Sequence, residues 1–113
     1  MAMAEKQLGQ LRPANTTAAS LYSPGAATTT LVTTIIICNS TATAAAARVF
    51  HDNDGTTYDQ STALVYDINI AGNTTEVVSL GKYVAMDNSS GNLAVRTNTA
   101  NALTFTAYGV EIT

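Results

Sequence analysis

Several residue types that carry chemistry are nearly missing from this sequence. It holds one cysteine, one histidine, two prolines and no tryptophan, and only 12% of its 113 residues are charged. The lone Cys38 excludes an intrachain disulfide and any cysteine-based metal cluster. Five Lys and Arg stand against eight Asp and Glu, for a net charge of −3. Five scattered cations are a poor footing for phosphate neutralisation, so nucleic acid is not an expected partner. A membrane is not expected either. No stretch forms a basic amphipathic helix, and the longest apolar run, Leu31 to Cys38, falls far short of the ~20 residues of a spanning helix. The opening MAMAEKQLGQLRP lacks the apolar segment of a secretory leader, which fits synthesis in a reducing host cytoplasm.

What the chain has is threonine and alanine, roughly a sixth of the residues each, well above average usage. The polar surface is therefore made of Thr, Ser and Asn rather than Lys and Glu. β-Branched side chains favour pleated sheet, and turn signals recur about every ten residues. The length suits one domain. Residues 1–15 show no period and read as an extended N-terminal arm, leaving residues 16–113 as a single domain. Strands are expected at Thr17 to Ser23, Thr28 to Asn39, Ala44 to His51, Ala63 to Ile70, Thr74 to Leu80, Tyr83 to Met86, Asn92 to Thr97, and from Ala102 onward. Pro24-Gly25, Asp52 to Gly55, Ala71 to Asn73 and Asn88 to Gly91 supply the turns. Gly109, inside the last strand, marks a bulge. The alanines 44–47 allow a helical turn as a local alternative, but the β-formers that follow favour strand. The fold class is all-β, an antiparallel β-sandwich.

Little in the sequence supports catalysis. His51 has Asp52, Asp54, Tyr58 and Asp59 nearby, yet no nucleophile elbow accompanies it, and the reading is non-enzymatic. Asp52-Asn53-Asp54-Gly55 departs from a calcium-binding EF-hand loop, which needs glycine sixth and glutamate twelfth. A looser calcium site from Asp52, Asp54 and Asp59 is the alternative to a solvated acidic turn. No cofactor motif is present, and the glycines are scattered singly rather than gathered in a phosphate loop. Asn15, Asn39, Asn73 and Asn88 head glycosylation-type triplets, as an Asn- and Thr-rich chain produces by chance. Cys38 reads as an inert buried thiol. The five tyrosines offer a stacking surface for carbohydrate, while Tyr66 and Tyr108 read more simply as core or interface residues with a polar tip.

The stretch LVTTIIIC, Leu31 to Cys38, poses the main physical question. Strict alternation puts Leu31, Thr33, Ile35 and Ile37 on one face and Val32, Thr34, Ile36 and Cys38 on the other. Both faces are apolar, and a row of exposed Val and Ile is something soluble monomers avoid. The N-terminal arm, a neighbouring sheet or another subunit must cover one face. Self-association is the simplest solution. The candidate interface is Leu8, Leu11, Leu31, Val32, Ile35, Ile36, Ile37, Tyr66 and Tyr108.

Certain residues also carry a resemblance. Leu21-Tyr22 before Pro24-Gly25, an aliphatic strand closing in Ile37-Cys38-Asn39, the turn Ala71 to Thr75, and a last strand ending in Gly109, Glu111 and Ile112 resemble small virion structural proteins of tailed bacteriophages. The likeness runs from about Leu8 onward, and its motifs mark turns and strands. It implies a jelly-roll-like sandwich, a homotrimer, that decorates or cements a capsid lattice by contacts with the major capsid protein or other virion proteins. It equally fits an accessory domain of a tail, neck, baseplate or fibre, with carbohydrate binding as one possible role. The arm would then clamp neighbouring subunits, and the protein would reside in the virion.

Overall fold

The computed structural model describes residues 1–113. It contains eight strands and no helix: β1 Met3–Leu11, β2 Ala19–Tyr22, β3 Thr29–Asn39, β4 Ala45–Asp52, β5 Ala63–Ile70, β6 Thr74–Met86, β7 Asn92–Thr97 and β8 Leu103–Ile112. They form two four-stranded sheets, β1-β8-β3-β6 and β2-β7-β4-β5, in which every pairing is antiparallel. The pairs β4·β5, β3·β6, β2·β7 and β1·β8 are nested, as in one long hairpin rolled upon itself. The expected sandwich is present, and the alanines 44–47 enter a strand, not a helical turn.

Residues Met3 to Leu11 correct the expectation of an arm. They form an edge strand, paired along β8 from Met3↔Ile112 to Leu11↔Phe105. Ala, Glu, Lys, Gln and Gly are weak strand formers, so their own propensity gives no strand signal. The open edge of β8 supplies the ladder instead. Two reciprocal hydrogen bonds between Ala2 and Thr113 continue the pairing to the chain ends.

A second correction concerns phase. Around Tyr108, β1 inserts the extra residue Leu8 and β3 inserts Thr33, while β8 runs through without interruption. On the far side of β3, the four residues Leu80 to Tyr83 of β6 stand opposite the single Thr33, with Gly81 at φ +71°. The irregularity thus crosses the whole sheet, and the two segments expected at Thr74 to Leu80 and Tyr83 to Met86 become one long strand. A one-residue slip moves all later side chains to the other face. As a result Val32, Ile35 and Ile37 all point inward and are fully buried. Leu31, Ile36 and Cys38 are left half-buried on the outer face.

The core gathers Val32, Ile35, Ile37, Val49, Ile70, Met86, Leu93, Val95, Leu103 and Phe105 between the sheets. Phe50 lies outside it and is buried against Tyr58 of the β4–β5 loop, ring centroids 6.2 Å apart. Two polar clusters bind the sandwich together. Buried Asn39 donates from Nδ2 to the carbonyls of Thr43 and Ile70 and accepts at Oδ1 from Thr41. All four of its bonding positions are used, as burial requires. Tyr22 of β2 donates to Glu111 of β8 at 2.5 Å, and Glu111 pairs with Lys6 of β1 at 3.0 Å. Burial, reinforced by that bond to Glu111, pushes the Tyr22 phenol up to about 12.

Gly109 sits where the bulges meet. A Cβ there would collide with the carbonyl oxygen of Leu31 and lie 3.0 Å from Leu8 Cδ1. Gly109→Ala is expected to cost about 2 kcal/mol and to lower Tm by roughly 10 °C. Thermal unfolding checks this, and an unchanged Tm would mean that the strands can separate there without loss.

Candidate functional site

Two surfaces stand out, one on each sheet. The outer face of β1-β8-β3-β6, where apolar side chains stand among Thr, Gln and Glu5, is uncovered, because β1 lies beside β8 in the plane of the sheet and shields neither face. Val77 is 62% exposed, Tyr83 50% and Tyr108 39%. Half-buried Leu31, Ile36, Cys38, Val110 and Ile112 lie in the same sheet. Beside Tyr108 the bulges open a depression of about 510 Å³ lined by Glu5, Lys6, Gln7, Thr33, Gly109 and Val110.

The second surface is built by the loop from Asn53 to Thr62 and the strands flanking it. Asp52 anchors the loop start by accepting from the backbone N–H groups of Thr56 at 2.9 Å and Thr57 at 2.6 Å. These bonds hold its carboxyl below the usual range. Tyr58 donates to the Gly55 carbonyl and accepts from Asn92 Nδ2 at 2.9 Å. Asp59 Oδ1 accepts from the Ser61 N–H and hydroxyl, which likewise lowers its pKa.

Opposite the loop, β5 carries a bulge. Ala47 pairs with Ile68 and Val49 with Val65, so Arg48 alone faces both Tyr66 and Asp67. Asp67 takes φ +57°, a left-handed conformation that Asp tolerates better than most residues. Simple alternation would put Leu64, Tyr66, Ile68 and Ile70 on one face and Val65, Asp67 and Asn69 on the other; the extra residue instead turns Leu64, Tyr66 and Asp67 outward together and Val65 and Ile68 inward. Arg48 then binds Asp67 through both carboxylate oxygens, at 2.6 and 3.0 Å. Its guanidinium carbon also lies 3.9 Å from the centre of the Tyr66 ring. That pairing holds the Asp67 carboxyl below its ordinary value. Arg48, Tyr58, Asp59, Gln60, Ser61 and Tyr66 line a second depression of about 490 Å³.

The expected interface residues are thus divided. Leu31, Ile36 and Tyr108 lie on the outer face of one sheet, and Tyr66, 42% exposed, belongs to the other. Leu8 and Leu11 are partly buried against the core. Val32, Ile35 and Ile37 are core residues beyond the reach of a partner, a correction that follows from the slip at Thr33. Asp52 and Asp54 lie side by side, both accepting from the Thr56 N–H, but Asp59 does not complete a cluster with them. No three His, Cys, Asp or Glu side chains converge as a metal site would need, and Asp52 and Asp54 are committed to the loop backbone. Asn39 is buried and fully bonded, so the folded chain offers no glycan acceptor there. The grouping of Arg48, Asp67, Gln60 and Ser61 was not anticipated. Its signals were an aspartate inside an apolar strand and an unusually long hairpin loop.

No protein-family model matches the chain, and no curated protein matches its sequence. Among solved structures, a chain in the structure of infectious bursal disease virus Gx strain matches at 10% identity with a TM-score of 0.43, and one from the Gt strain at 8% with 0.38. Both matches cover 97% of this chain but only 31% and 29% of those chains. The protein thus spans about a third of their length, and likeness of that degree assigns neither family nor function.

His51 shows how the loop couples to pH. Its Nε2 is buried without a hydrogen-bond partner. Burial lowers its pKa, against a smaller upward pull from Asp52. The unfolded chain therefore takes up this proton first, near pH ~6.5. The stability held by neutral His51 is complete above that pH and is lost as pH falls from there towards the lower folded pKa. Asp52, Asp59, Asp67 and Glu111, all held low, lose theirs only in more acid solution. Tm should fall between about pH 7 and 5, and His51→Gln should flatten that slope. An equal slope in both proteins would remove His51 as its source.

Proposed function

We propose that the protein is a non-enzymatic structural component of a virion, a capsid decoration or cement protein that acts as a homotrimer. The observation carrying this reading is the group of apolar side chains, Leu31, Ile36, Val77 and Tyr108, on the uncovered outer face of the β1-β8-β3-β6 sheet. Water-exposed Val and Tyr on one sheet cost hydrophobic free energy that a protein partner recovers. The partners on this reading are further copies of the chain and the major capsid protein or other virion proteins. The resemblance to small phage virion proteins supports the same role.

Placement in a tail, neck, baseplate or fibre is the second reading, and the separate Tyr66 surface on the opposite sheet favours it. Light scattering on the full chain tests self-association. We expect a stable trimer, with Ile36→Glu and Val77→Lys each weakening it at least about tenfold, or roughly 1.4 kcal/mol. A monomer at every concentration would overturn the trimer. Immunogold labelling of intact virions separates the two placements: label spread over the head supports decoration, and label confined to the tail overturns it.

A further inference from the structure

The depression beside Tyr66 has features that the outer-face reading does not use. We propose that it is a binding site for a neutral saccharide, whose pyranose ring stacks on Tyr66 and whose hydroxyls bond to Asp59, Gln60 and Ser61. This inference does not rest on the virion reading and holds for either placement.

Three observations carry it. The first is the bulge, which spends a left-handed backbone residue, Asp67, to bring Tyr66 onto the outer face. Bulges commonly re-aim a side chain in this way. Arg48 then fixes the ring by stacking 3.9 Å from its centre while being held itself by Asp67. An exposed aromatic clamped in one orientation costs little entropy when a ligand lands on it. The C–H face of a sugar ring suits such a surface, because its weakly positive hydrogens meet the negative face of the ring.

The second observation is the supply of polar groups. Asp59 uses only Oδ1 within the loop, leaving Oδ2 as an open acceptor. Gln60 is exposed and brings both a donor and an acceptor. A carboxylate beside a carboxamide and a hydroxyl is the mixture that vicinal hydroxyls need, since each hydroxyl both donates and accepts.

The third is charge. The depression is lined by one guanidinium, Arg48, and one carboxylate, Asp59, and Arg48 spends its Nε and Nη2 donors on Asp67. With Arg48 offset by Asp67, the charge left on the lining is the Asp59 carboxylate, which favours an uncharged ligand over phosphate, sulfate or an acidic sugar. With no third carboxylate converging, a metal ion has no cage. A volume of about 490 Å³ lies within the range of small-molecule sites. The depression is broad and open, which suits a residue of a surface-displayed polymer.

The test is an NMR titration of the 15N-labelled full chain with maltotriose, cellotriose, chitotriose and α-mannotriose, with inorganic phosphate as the anionic control. At least one of the four should shift amides within Tyr58 to Ser61 and Leu64 to Asp67, with a dissociation constant of order 1 mM. Phosphate should leave those amides unmoved. Tyr66→Ala should weaken the binding at least about tenfold, while Tyr66→Phe keeps it within about threefold. If Tyr66→Ala fails to fold, Gln60→Ala carries the test, with a loss of about fivefold or more expected. The inference is overturned if none of the four sugars shifts these amides, if the shifts lie elsewhere, or if the folded variant binds as tightly as the parent.

Discussion

The arrangement of this protein depends on a close approach of backbone at Gly109, where the carbonyl of Leu31 occupies the space that a Cβ would fill. Because β8 has no side chain at that point, its neighbours β1 and β3 can each take up an extra residue around Tyr108 and resume pairing beyond it. The interior follows from that slip. Without Thr33 as a spare residue, Val32 and Ile35 would point to opposite faces. With it, Val32, Ile35 and Ile37 line up inside, and the remaining apolar residues of β3 are turned outward. The same slip therefore creates both the buried core and the uncovered face.

Much of this was legible in the sequence. Asp54-Gly55 and Asn88 to Gly91 mark real turns, because their residues supply the backbone angles that turns require, whereas beyond Pro24-Gly25 the turn falls at Ala26-Ala27, with Ala27 at φ +54°. The threonine and valine runs between them are strands for the reason expected. Phase was not legible. Thr33 and Thr34 are equally good strand residues, and nothing in either side chain says which of them is skipped. Alternation was right on each side of the bulge and wrong across it, for β5 as for β3. The edge strand β1 was hidden for another reason: its residues become a strand only because β8 offers an open edge.

The candidate site was half visible. Tyr66 could be picked out as a core or interface residue with a polar tip, yet its setting depends on Arg48 from the neighbouring strand and on a loop folded back over Phe50. Such cross-strand groupings are fixed by register, which local sequence does not encode. The local hints were the long β4–β5 loop and Asp67, an acid of the kind that accepts left-handed geometry amid apolar neighbours.

The paired chain ends carry a consequence of their own. Ala2 and Thr113 exchange hydrogen bonds in both directions, so β1 begins where β8 ends. Anything attached to either end, whether a fused reporter or a tether, leaves from the same edge of the same sheet. A joining segment of only a few residues could close the backbone, and new ends could then be opened at a distant turn. The molecule is thus a natural substrate for circular permutation, with its order of strands in space kept and their order in the gene rearranged.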